Sequence, residues 1–487
     1  MPKTPQERRA LLLRRLAPAR GAEPAREPEG AAQGPGTAVA REPEGRNSGD
    51  GSQAPATCAQ QGLWFLDQFD PEQAPYALPL AFRLRGQLVL PALRRALDGL
   101  VARQASLRTT FVDDDGEPRQ QIAPARPVPL VVEDVSAIPE EARETELRRR
   151  LAEEDRRVFD LADGPLFLVS LLRTAPQEHV LLLNVHHIVF DGWSLGVLVQ
   201  ELGEAYGAAV RGEKYRPTPP AMAYTDYAWW EQDWLDGDKC RAQYGYWRRN
   251  LEGLTALELP TDRPRPSSAS TAGDSVRFRL STRQRDDLVR MSAEERVTPF
   301  MLLLAVFQIV LARTTGQRDI AVGSPMANRS LPETQELVGY FVNSVVLRTD
   351  LSGAADFSEV LRRVREVALG AYENQNYPFS RLVAQLEPDR DPARSPLFQV
   401  LFVMQEESWE QDEWHGLSVE LMGSPATTSM FDVGLSVSMS VHGVSGDIRY
   451  RTDLFDRSRM ERLAEDFAHV VERVTRDAGA DLTELLA

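Results

Sequence analysis

Apolar side chains recur every three or four positions in several stretches of the chain, which is the period of an amphipathic helix. The pattern predicts helices over residues 93–104, 144–157 and 195–210. Residues 298–311 are apolar at nearly every position. We therefore expect a central helix there that is buried on all sides.

Other short apolar runs are rich in β-branched and aromatic residues, which favours strands. The predicted strands are residues 81–84, 166–172, 180–187, 320–322, 345–347 and 397–403. Helices and strands follow one another without a tight strand–helix–strand repeat. The pattern therefore indicates the α+β class, with two lobes built around mixed sheets.

Composition divides the chain into a leader and two lobes. Residues 1–52 contain one possible short helix, at residues 5–17, followed by a stretch rich in Ala, Gly, Pro and Glu that cannot bury enough surface to fold. We expect this leader to be disordered. Three prolines within residues 217–223 indicate a hinge, which predicts an N-terminal lobe at residues 53–220 and a C-terminal lobe at residues 221–487.

Net charge and cysteine content exclude several functional classes. The chain has 487 residues, with 56 Lys and Arg against 72 Asp and Glu, and its net charge of −16 disfavours sequence-independent binding of nucleic acid. The two cysteines, Cys58 and Cys240, are too few for a disulfide framework, a zinc ribbon or an iron–sulfur site. Because there is neither a long apolar run nor a signal-peptide core, we expect a cytoplasmic protein with no membrane partner.

Two adjacent histidines end the strand predicted at residues 180–187. His186 and His187 are followed by Asp191, Gly192 and Ser194, after which a helix begins, so the local pattern is strand, turn, helix with Ser194 as the helix cap. Successive strand residues point to opposite faces of a sheet. One imidazole is therefore expected to face a cleft and the other to pack away, and the pattern does not say which.

Three chemistries are open for this segment. A metal site would use His186, His187 and Asp191, but two imidazoles on opposite faces hardly reach one ion, so no metal is expected. Residues 192–196 match the G-x-S-x-G pattern of an α/β-hydrolase with Ser194 as nucleophile. Its base would be one of three later histidines: His415, His442 or His469. In the third chemistry, one imidazole is a general base and Asp191 is a structural acid.

Residues 186–194 read His-His-Ile-Val-Phe-Asp-Gly-Trp-Ser and resemble the HHxxxDG signature of condensation domains of nonribosomal peptide synthetases. The same signature marks chloramphenicol acetyltransferase-like acyltransferases. Further segments resemble the other motifs of the condensation family, in the family's order, and the resemblance covers about residues 57–475. These segments are residues 57–66, 106–111, 224–230, 339–344, 375–379 and 390–398.

The resemblance implies two chloramphenicol acetyltransferase-like lobes in a V-shaped pseudo-dimer with a central tunnel. A donor carrier protein would present an acyl or aminoacyl thioester on its phosphopantetheine arm, and an amine or alcohol would attack it to form an amide or ester. The acceptor would be a second carrier protein or a small molecule, and the enzyme itself would bind no cofactor. Since the chain starts with Met and ends soon after the last motif, we expect a free-standing enzyme. The alternatives are a hydrolase or thioesterase that uses Ser194, and a catalytically silent carrier-docking module.

The resemblance also implies a role for each residue of the signature. His187 would accept the proton of the attacking amine, and the N–H of Gly192 at the helix start would stabilise the oxyanion. Asp191 would form a buried ion pair with Arg329, and His186 would pack behind the strand. The residues expected to support the site structurally are Trp193, Ser194 and Asn343.

The chain departs from the family pattern at positions expected to hold the lobes together. Gly62 stands where the first motif usually has Arg, and Gln104 and Ala105 stand where the second usually has His and Glu. Asn376 and Ser380 stand where the sixth usually has Asp and Glu. Losing these charged groups together is consistent with compensating change, with a specialised enzyme or with a weakened one.

Overall fold

The computed structural model describes residues 51–69, 76–267, 270–386, 391, 393–405, 411–423 and 428–487. The predicted leader lies outside these residues except for positions 51 and 52, and the helix predicted at residues 5–17 lies wholly outside them. Both therefore stay predictions.

The described residues form 12 α-helices and 15 β-strands. The helices are α1 (Cys58–Phe69), α2 (Leu90–Arg103), α3 (Glu140–Asp155), α4 (Gly192–Val210), α5 (Tyr224–Leu235), α6 (Asp238–Asn250), α7 (Thr282–Glu294), α8 (Pro299–Thr315), α9 (Phe357–Glu373), α10 (Phe379–Leu386), α11 (Arg457–Arg476) and α12 (Leu482–Leu486). The strands are β1 (Gln53–Pro55), β2 (Ala77–Arg85), β3 (Thr109–Asp114), β4 (Glu117–Ile122), β5 (Leu130–Asp134), β6 (Phe167–Ala175), β7 (Glu178–His186), β8 (Gly273–Leu280), β9 (Asp319–Met326), β10 (Asn343–Asp350), β11 (Val400–Gln405), β12 (Gln411–Trp414), β13 (Leu417–Met422), β14 (Val433–Ser440) and β15 (Gly443–Arg451).

The first six-stranded sheet has the order β12-β13-β2-β7-β6-β5. Its neighbours are antiparallel except for β5 and β6, which run parallel. Helix α3 packs on one face through Leu147 and Leu151, and α2 and α4 contribute to the core on the other face. Because both faces are covered, β7 reads as a continuous apolar run rather than an alternating one.

The second six-stranded sheet has the order β10-β9-β11-β14-β15-β8. Strand β11 is parallel to both of its neighbours, and the other pairs are antiparallel. Helix α8 lies at the centre of this part of the molecule, with residues 301–312 all buried, and it contacts α9 and α11. The prediction of a central apolar helix is confirmed, as is the α+β class with mixed sheets.

The hairpin β12–β13 joins the two parts of the molecule. It comes from the C-terminal part of the sequence but extends the first sheet, because β13 pairs with β2 so that Leu421 lies opposite Phe82. A separate three-stranded sheet has the order β1-β4-β3. The predicted division into residues 53–220 and 221–487 stays a prediction, and this hairpin crosses it.

Two predicted strands end or begin at other residues than expected. His187 lies outside β7, in a 3₁₀ turn over His187–Val189. The strand predicted from residue 397 begins at Val400. Leu397 has a φ of +65°, which belongs to the left-handed region and is incompatible with an extended strand.

None of the described helices is by itself both long and apolar enough to cross a membrane. Helices α7 and α8 meet the length and composition test only as a pair, and they are bent by 105° at the break between them.

Candidate active site

The last residue of β7 and the first residue after it place the two imidazoles differently. His186 is 2% exposed, and its ring packs edge-on against Phe159 with centroids 5.7 Å apart. Its Nδ1 accepts a hydrogen bond from the N–H of Ile188 at 3.1 Å. Burial, with His187 beside it, lowers the pKa of His186 to about 3. This imidazole is therefore neutral, and it holds the turn rather than facing a cleft.

His187 has the opposite hydrogen-bond arrangement. Its Nδ1 lies 2.6 Å from the carbonyl oxygen of Phe190, and because a carbonyl can only accept, Nδ1 carries the proton. Nε2 is then left with a lone pair. The ring is partly exposed and lies edge-on to Tyr340, with centroids 4.9 Å apart. Burial lowers the pKa of His187 below its usual value of 6.5, although the Phe190 carbonyl and Asp191 oppose the shift. A neutral base is thereby available at neutral pH.

Asp191 caps α4 and is completely buried. Its Oδ1 accepts hydrogen bonds from the N–H of Ser194 at 2.9 Å and from Nη2 of Arg329 at 3.0 Å. Its Oδ2 accepts from the N–H of Phe341 at 3.1 Å. We call Asp191, Ser194, Arg329, Gly339 and Phe341 the Asp191 clamp. The clamp fixes the turn that carries His187.

Arg329 is the cation of the clamp, and its side chain is 2% exposed. Its Nη1 donates to the carbonyl oxygens of Thr334 and Leu337, the latter at 2.7 Å. The guanidinium carbon lies 4.1 Å from the ring centroid of Phe341, within the range of a cation–π contact. Burial lowers the pKa of Arg329, and the neighbouring Asp191 opposes that shift. The ion pair implied by the resemblance is present in the structure.

Ser194 is part of the clamp and not the helix cap that we expected. The cap is Asp191, because its carboxylate reaches the free N–H of Ser194 in the first turn. The Ser194 hydroxyl is fully buried, 2.7 Å from Oδ1 of Asp191 and 3.0 Å from the N–H of Gly339. Among the described residues its partners are Asp191, Gly339 and Arg329, and no histidine is one of them. The hydrolase interpretation lacks a base at this oxygen.

The two residues between Asp191 and Ser194 are exposed to solvent. Gly192 is the first residue of α4, and no heavy atom lies within 4 Å of the point where a Cβ would stand. There is therefore free space beside the N-terminal turn of α4, where backbone N–H groups favour negative charge. Trp193 is 44% exposed, and its Nε1–H donates to the carbonyl oxygen of Gln335 at 2.9 Å.

Asn343 is the first residue of β10, and neither imidazole is among its hydrogen-bond partners in the described residues. Its Nδ2 donates to the carbonyl oxygens of Gln375 and Tyr377, both at 2.7 Å, and its Oδ1 accepts from the N–H of Phe379 at 2.9 Å. Its polar atoms are thus used in holding the loop before α10. In the part of the chain that the structure describes, no group of three His, Cys, Asp or Glu residues is placed to hold a metal ion.

At two of the positions where the chain departs from the family pattern, the side chain still connects residues from the two halves of the sequence. Gln104 donates to Oε1 of Glu201 at 2.7 Å and accepts from the N–H of Val338 at 3.0 Å. Ser380 donates from its hydroxyl to the carbonyl oxygen of Cys58 at 3.2 Å. Neutral side chains therefore make contacts between distant segments where the family usually has charged ones.

Sequence reasoning missed two neighbours of the imidazole. Tyr340 packs against His187, and it belongs to the quoted motif at residues 339–344, where a signal existed. The carbonyl of Phe190, which sets the tautomer of His187, is a backbone group and has no side-chain signal in the sequence.

Comparison with known proteins agrees with this geometry. The family profile described as Condensation domain matches residues 51–486. A linear gramicidin synthase from Brevibacillus parabrevis is 42% identical over 434 residues, which is 88% of this chain and 8% of that protein. Phosphinothricin tripeptide synthetase PhsC from Streptomyces viridochromogenes is 37% identical over 88% of this chain and 40% of its own length. The chain thus spans less than half of the length of these relatives.

Solved structures give the same result. The X-domain from teicoplanin biosynthesis superposes with a TM-score of 0.81 at 29% identity, over 93% of this chain and 99% of that one. The first condensation domain of the CDA synthetase superposes with a TM-score of 0.76 at 21% identity, over 89% of this chain and 98% of that one. The second likeness concerns the fold alone, and it confirms the expected chloramphenicol acetyltransferase-like lobes. The chain therefore belongs to the condensation domain family of nonribosomal peptide synthetases.

Proposed function

We propose that this protein transfers an acyl or aminoacyl group from the phosphopantetheine thioester of a carrier protein to an amine or an alcohol, forming an amide or an ester. The observation that carries the proposal is the state of His187. Its Nδ1 proton is held by the carbonyl of Phe190, its Nε2 is left as an acceptor, and its ring is partly exposed. His186 has none of these properties.

His187 provides the base for the attacking group. An α-amine has a pKa near ~8, so most of it arrives protonated at neutral pH and must first lose one proton to solvent before its nitrogen can attack. The amine nitrogen forms a bond to the thioester carbon, its proton passes to Nε2 of His187, and the carbon–sulfur bond breaks. The same proton then passes to the leaving thiolate. General-base assistance of this kind contributes about 10²–10⁴-fold in rate.

Gly192 provides the space and the partial positive charge for the oxyanion. The N–H groups of the first turn of α4 favour a developing negative charge, and the position of a Cβ at Gly192 is unobstructed. Orientation of the two reactants contributes more than the base, since holding them in place supplies roughly 7–11 kcal/mol of the barrier.

The remaining residues of the signature act by positioning. Asp191 and Arg329 fix the turn before α4, and Ser194 ties that turn to Gly339. His186 holds the end of β7. Trp193 and Asn343 join segments around the site through hydrogen bonds to backbone carbonyls.

We also propose the partners and the setting of the reaction. A donor carrier protein brings phosphopantetheine as part of its substrate, and the acceptor is a second carrier or a small amine or alcohol. The two lobes are residues 53–220 and residues 221–487. A tunnel between them brings the donor and the acceptor together in the cytoplasm. Support comes from the relatives, which are peptide synthetases.

The test is a single-turnover assay with an acyl-loaded carrier protein and a panel of amines and alcohols, read by product mass. His187→Ala is expected to lower the rate by about 10²–10⁴-fold. His442→Ala is the matched control, because His442 is an exposed histidine in the turn between β14 and β15. Equal rates for the two variants would show that His187 is not the base.

One observation favours a second candidate, a module that binds a partner without catalysis. The X-domain of teicoplanin biosynthesis is 29% identical to this chain, and it has been solved in a complex with OxyB. If the protein is a docking module, a partner still binds to the His187→Ala variant. No combination of loaded carrier and acceptor then gives product. The intact pair argues for the catalytic function, because His187 keeps a free acceptor nitrogen while His186 holds the turn.

A further inference from the structure

A cavity of about 700 Å³, including its open mouth, lies next to the candidate base. Its walls come from α1, α5, residues 340–344 and the segment that leads into α10. Tyr340 belongs to this wall, and its ring also contacts His187 at 4.9 Å between centroids. Tyr340 is therefore the residue that connects the cavity wall to the base. We call this space the Glu231 cavity.

The polar groups in the wall that lack a partner are hydrogen-bond acceptors. The amide oxygens of Asn328 and Asn376 are buried and have no partner among the described residues. Glu231 is 8% exposed, and its Oε2 accepts the N–H of Cys58 at 2.7 Å. Among the described residues Glu231 has no ion-pair partner, and Arg381 on α10 is the cation that lowers its pKa. The cavity thus offers one carboxylate, which already accepts the N–H of Cys58, and two amide oxygens without a partner among the described residues.

The wall also contains apolar side chains, beside the hydroxyl groups of residues such as Ser344 and Ser380. The apolar residues include Leu63, Leu66, Val342 and Phe379. Gly62 leaves space in the cavity, because a Cβ built at this position meets only Ser380, at 4.0 Å. The space lies at Gly62, Asn376 and Ser380, three of the positions at which this chain departs from the family pattern. The cavity is therefore a feature of this chain's own residues.

We propose that the Glu231 cavity binds the primary ammonium group of a small alkylamine, with the carboxylate of Glu231 and the amide oxygens of Asn328 and Asn376 as its acceptors. An ammonium group has three donors, which suits one carboxylate and two amide oxygens. Of these acceptors, the two amide oxygens have no partner among the described residues. A short alkyl chain suits the apolar side chains in the wall. An anion is excluded by the carboxylate, and a neutral alcohol has one donor only.

The role of this amine rests on the proposed function. The anchored ammonium belongs to the acceptor substrate, and a second amine or hydroxyl of the same molecule reaches past Tyr340 to His187. The acceptor class is then a small diamine or amino alcohol that diffuses freely. Binding itself does not require that reaction, so the two ideas can fail separately.

The experiment measures calorimetric binding of butylammonium chloride to the full chain, with 1-butanol as the neutral comparison. Butylammonium is expected to bind and butanol is not. Glu231→Gln keeps an acceptor for the N–H of Cys58 but removes the charge, so affinity is expected to fall about tenfold or more. Glu373→Gln, which removes an exposed carboxylate at the end of α9, is the matched control and should bind as the wild type does.

Two further variants keep the test decisive. Asn376→Asp adds a second carboxylate to the wall and should strengthen binding several-fold. Gly62→Arg places a guanidinium in the same space and should abolish binding while the protein stays folded. If Glu231→Gln binds like the wild type, or if butanol binds as well as butylammonium, the ammonium site is ruled out.

The pH dependence adds an independent measurement. The titratable and charged groups near Glu231 are Cys58 on α1, Tyr224 and Tyr227 on α5, and Arg381 on α10. Burial raises the pKa of Glu231 to about 7. Affinity for butylammonium should therefore be higher at pH 8 than at pH 6, and this difference should vanish in Glu231→Gln.

One more variant distinguishes a failure of this inference from a failure of the proposed catalytic function. His187→Ala should bind butylammonium with unchanged affinity. Product from diamines with no ammonium binding would remove this inference and leave the function standing. Ammonium binding with no product from any carrier would remove the proposed function and leave this binding site standing.

Discussion

The Asp191 clamp and the Glu231 cavity each contain a buried acid, and they differ in how these acids are satisfied. Asp191 is fully buried and accepts hydrogen bonds from Ser194, Arg329 and Phe341. Glu231 is almost as buried, but its hydrogen bonds come from the N–H and the thiol of Cys58, and it has no ion-pair partner among the described residues. A buried charge stabilises a fold only where partners compensate for its lost hydration. The clamp is therefore a structural element, whereas the carboxylate in the cavity can still bind a cation.

This comparison predicts opposite signs for neutralising the two acids. Loss of the charge in the clamp leaves a partner cation uncompensated, so the fold loses stability. Loss of the charge in the cavity removes a group that was costly to bury, so the fold gains stability. The predictions below test this contrast in order of expected size.

The largest effect is expected for Asp191→Asn. The amide keeps an acceptor for the N–H of Ser194 but leaves Arg329 as a buried cation without a counter-ion, which costs about 3–5 kcal/mol. Urea unfolding followed by circular dichroism measures the loss. Asp114→Asn is the control, because Asp114 and Arg119 pair at the surface with side chains 59% and 36% exposed, and such pairs contribute about 0–1 kcal/mol. Equal losses in both variants would contradict the clamp.

Glu231→Gln is expected to stabilise the protein. Burial raises the pKa of Glu231 from 4.5 to about 7, so the folded state disfavours the charged form. This costs stability as the pH rises from about 4.5 to 7, by up to about 3 kcal/mol above pH 7. The variant should therefore unfold at higher urea than the wild type at pH 8 and at the same urea near pH 4. A destabilised variant at pH 8 would show that Glu231 already has its cation.

Ser194→Ala tests the neutral member of the clamp. It leaves the buried N–H of Gly339 without an acceptor, which costs about 1–3 kcal/mol. Transfer activity should largely remain at a temperature where the variant is folded, because Ser194 only positions the turn. Complete loss of activity in a folded variant, together with labelling of wild-type Ser194 by a fluorophosphonate, would favour the hydrolase instead.

The smallest effect is expected for Trp193→Phe. This change removes the hydrogen bond from Nε1 to the carbonyl of Gln335 but keeps an aromatic ring at a half-exposed position. A loss of about 0.5–1.5 kcal/mol is expected in the same unfolding measurement. A loss as large as that of Asp191→Asn would place Trp193 within the clamp.

The sequence determined much of the local structure around the site. The apolar run of β7, the two histidines and the helical period of α4 are all contained in residues 178–210, so their order could be predicted without tertiary information. The all-apolar period of α8 likewise predicted a buried helix, because no face of it could tolerate water. The family motifs identified the condensation domain for the same reason: each is a short local pattern.

The tertiary structure alone decided which groups meet. Asp191 and Phe341 are 150 positions apart, and Cys58 and Glu231 are 173 apart, so no local periodicity relates them. The choice between His186 and His187 also required the fold, because the chain leaves the strand at His187 and a 3₁₀ turn brings the carbonyl of Phe190 to its ring. A sequence pattern records which face a side chain prefers, whereas hydrogen bonding and burial depend on the segments that pack against it.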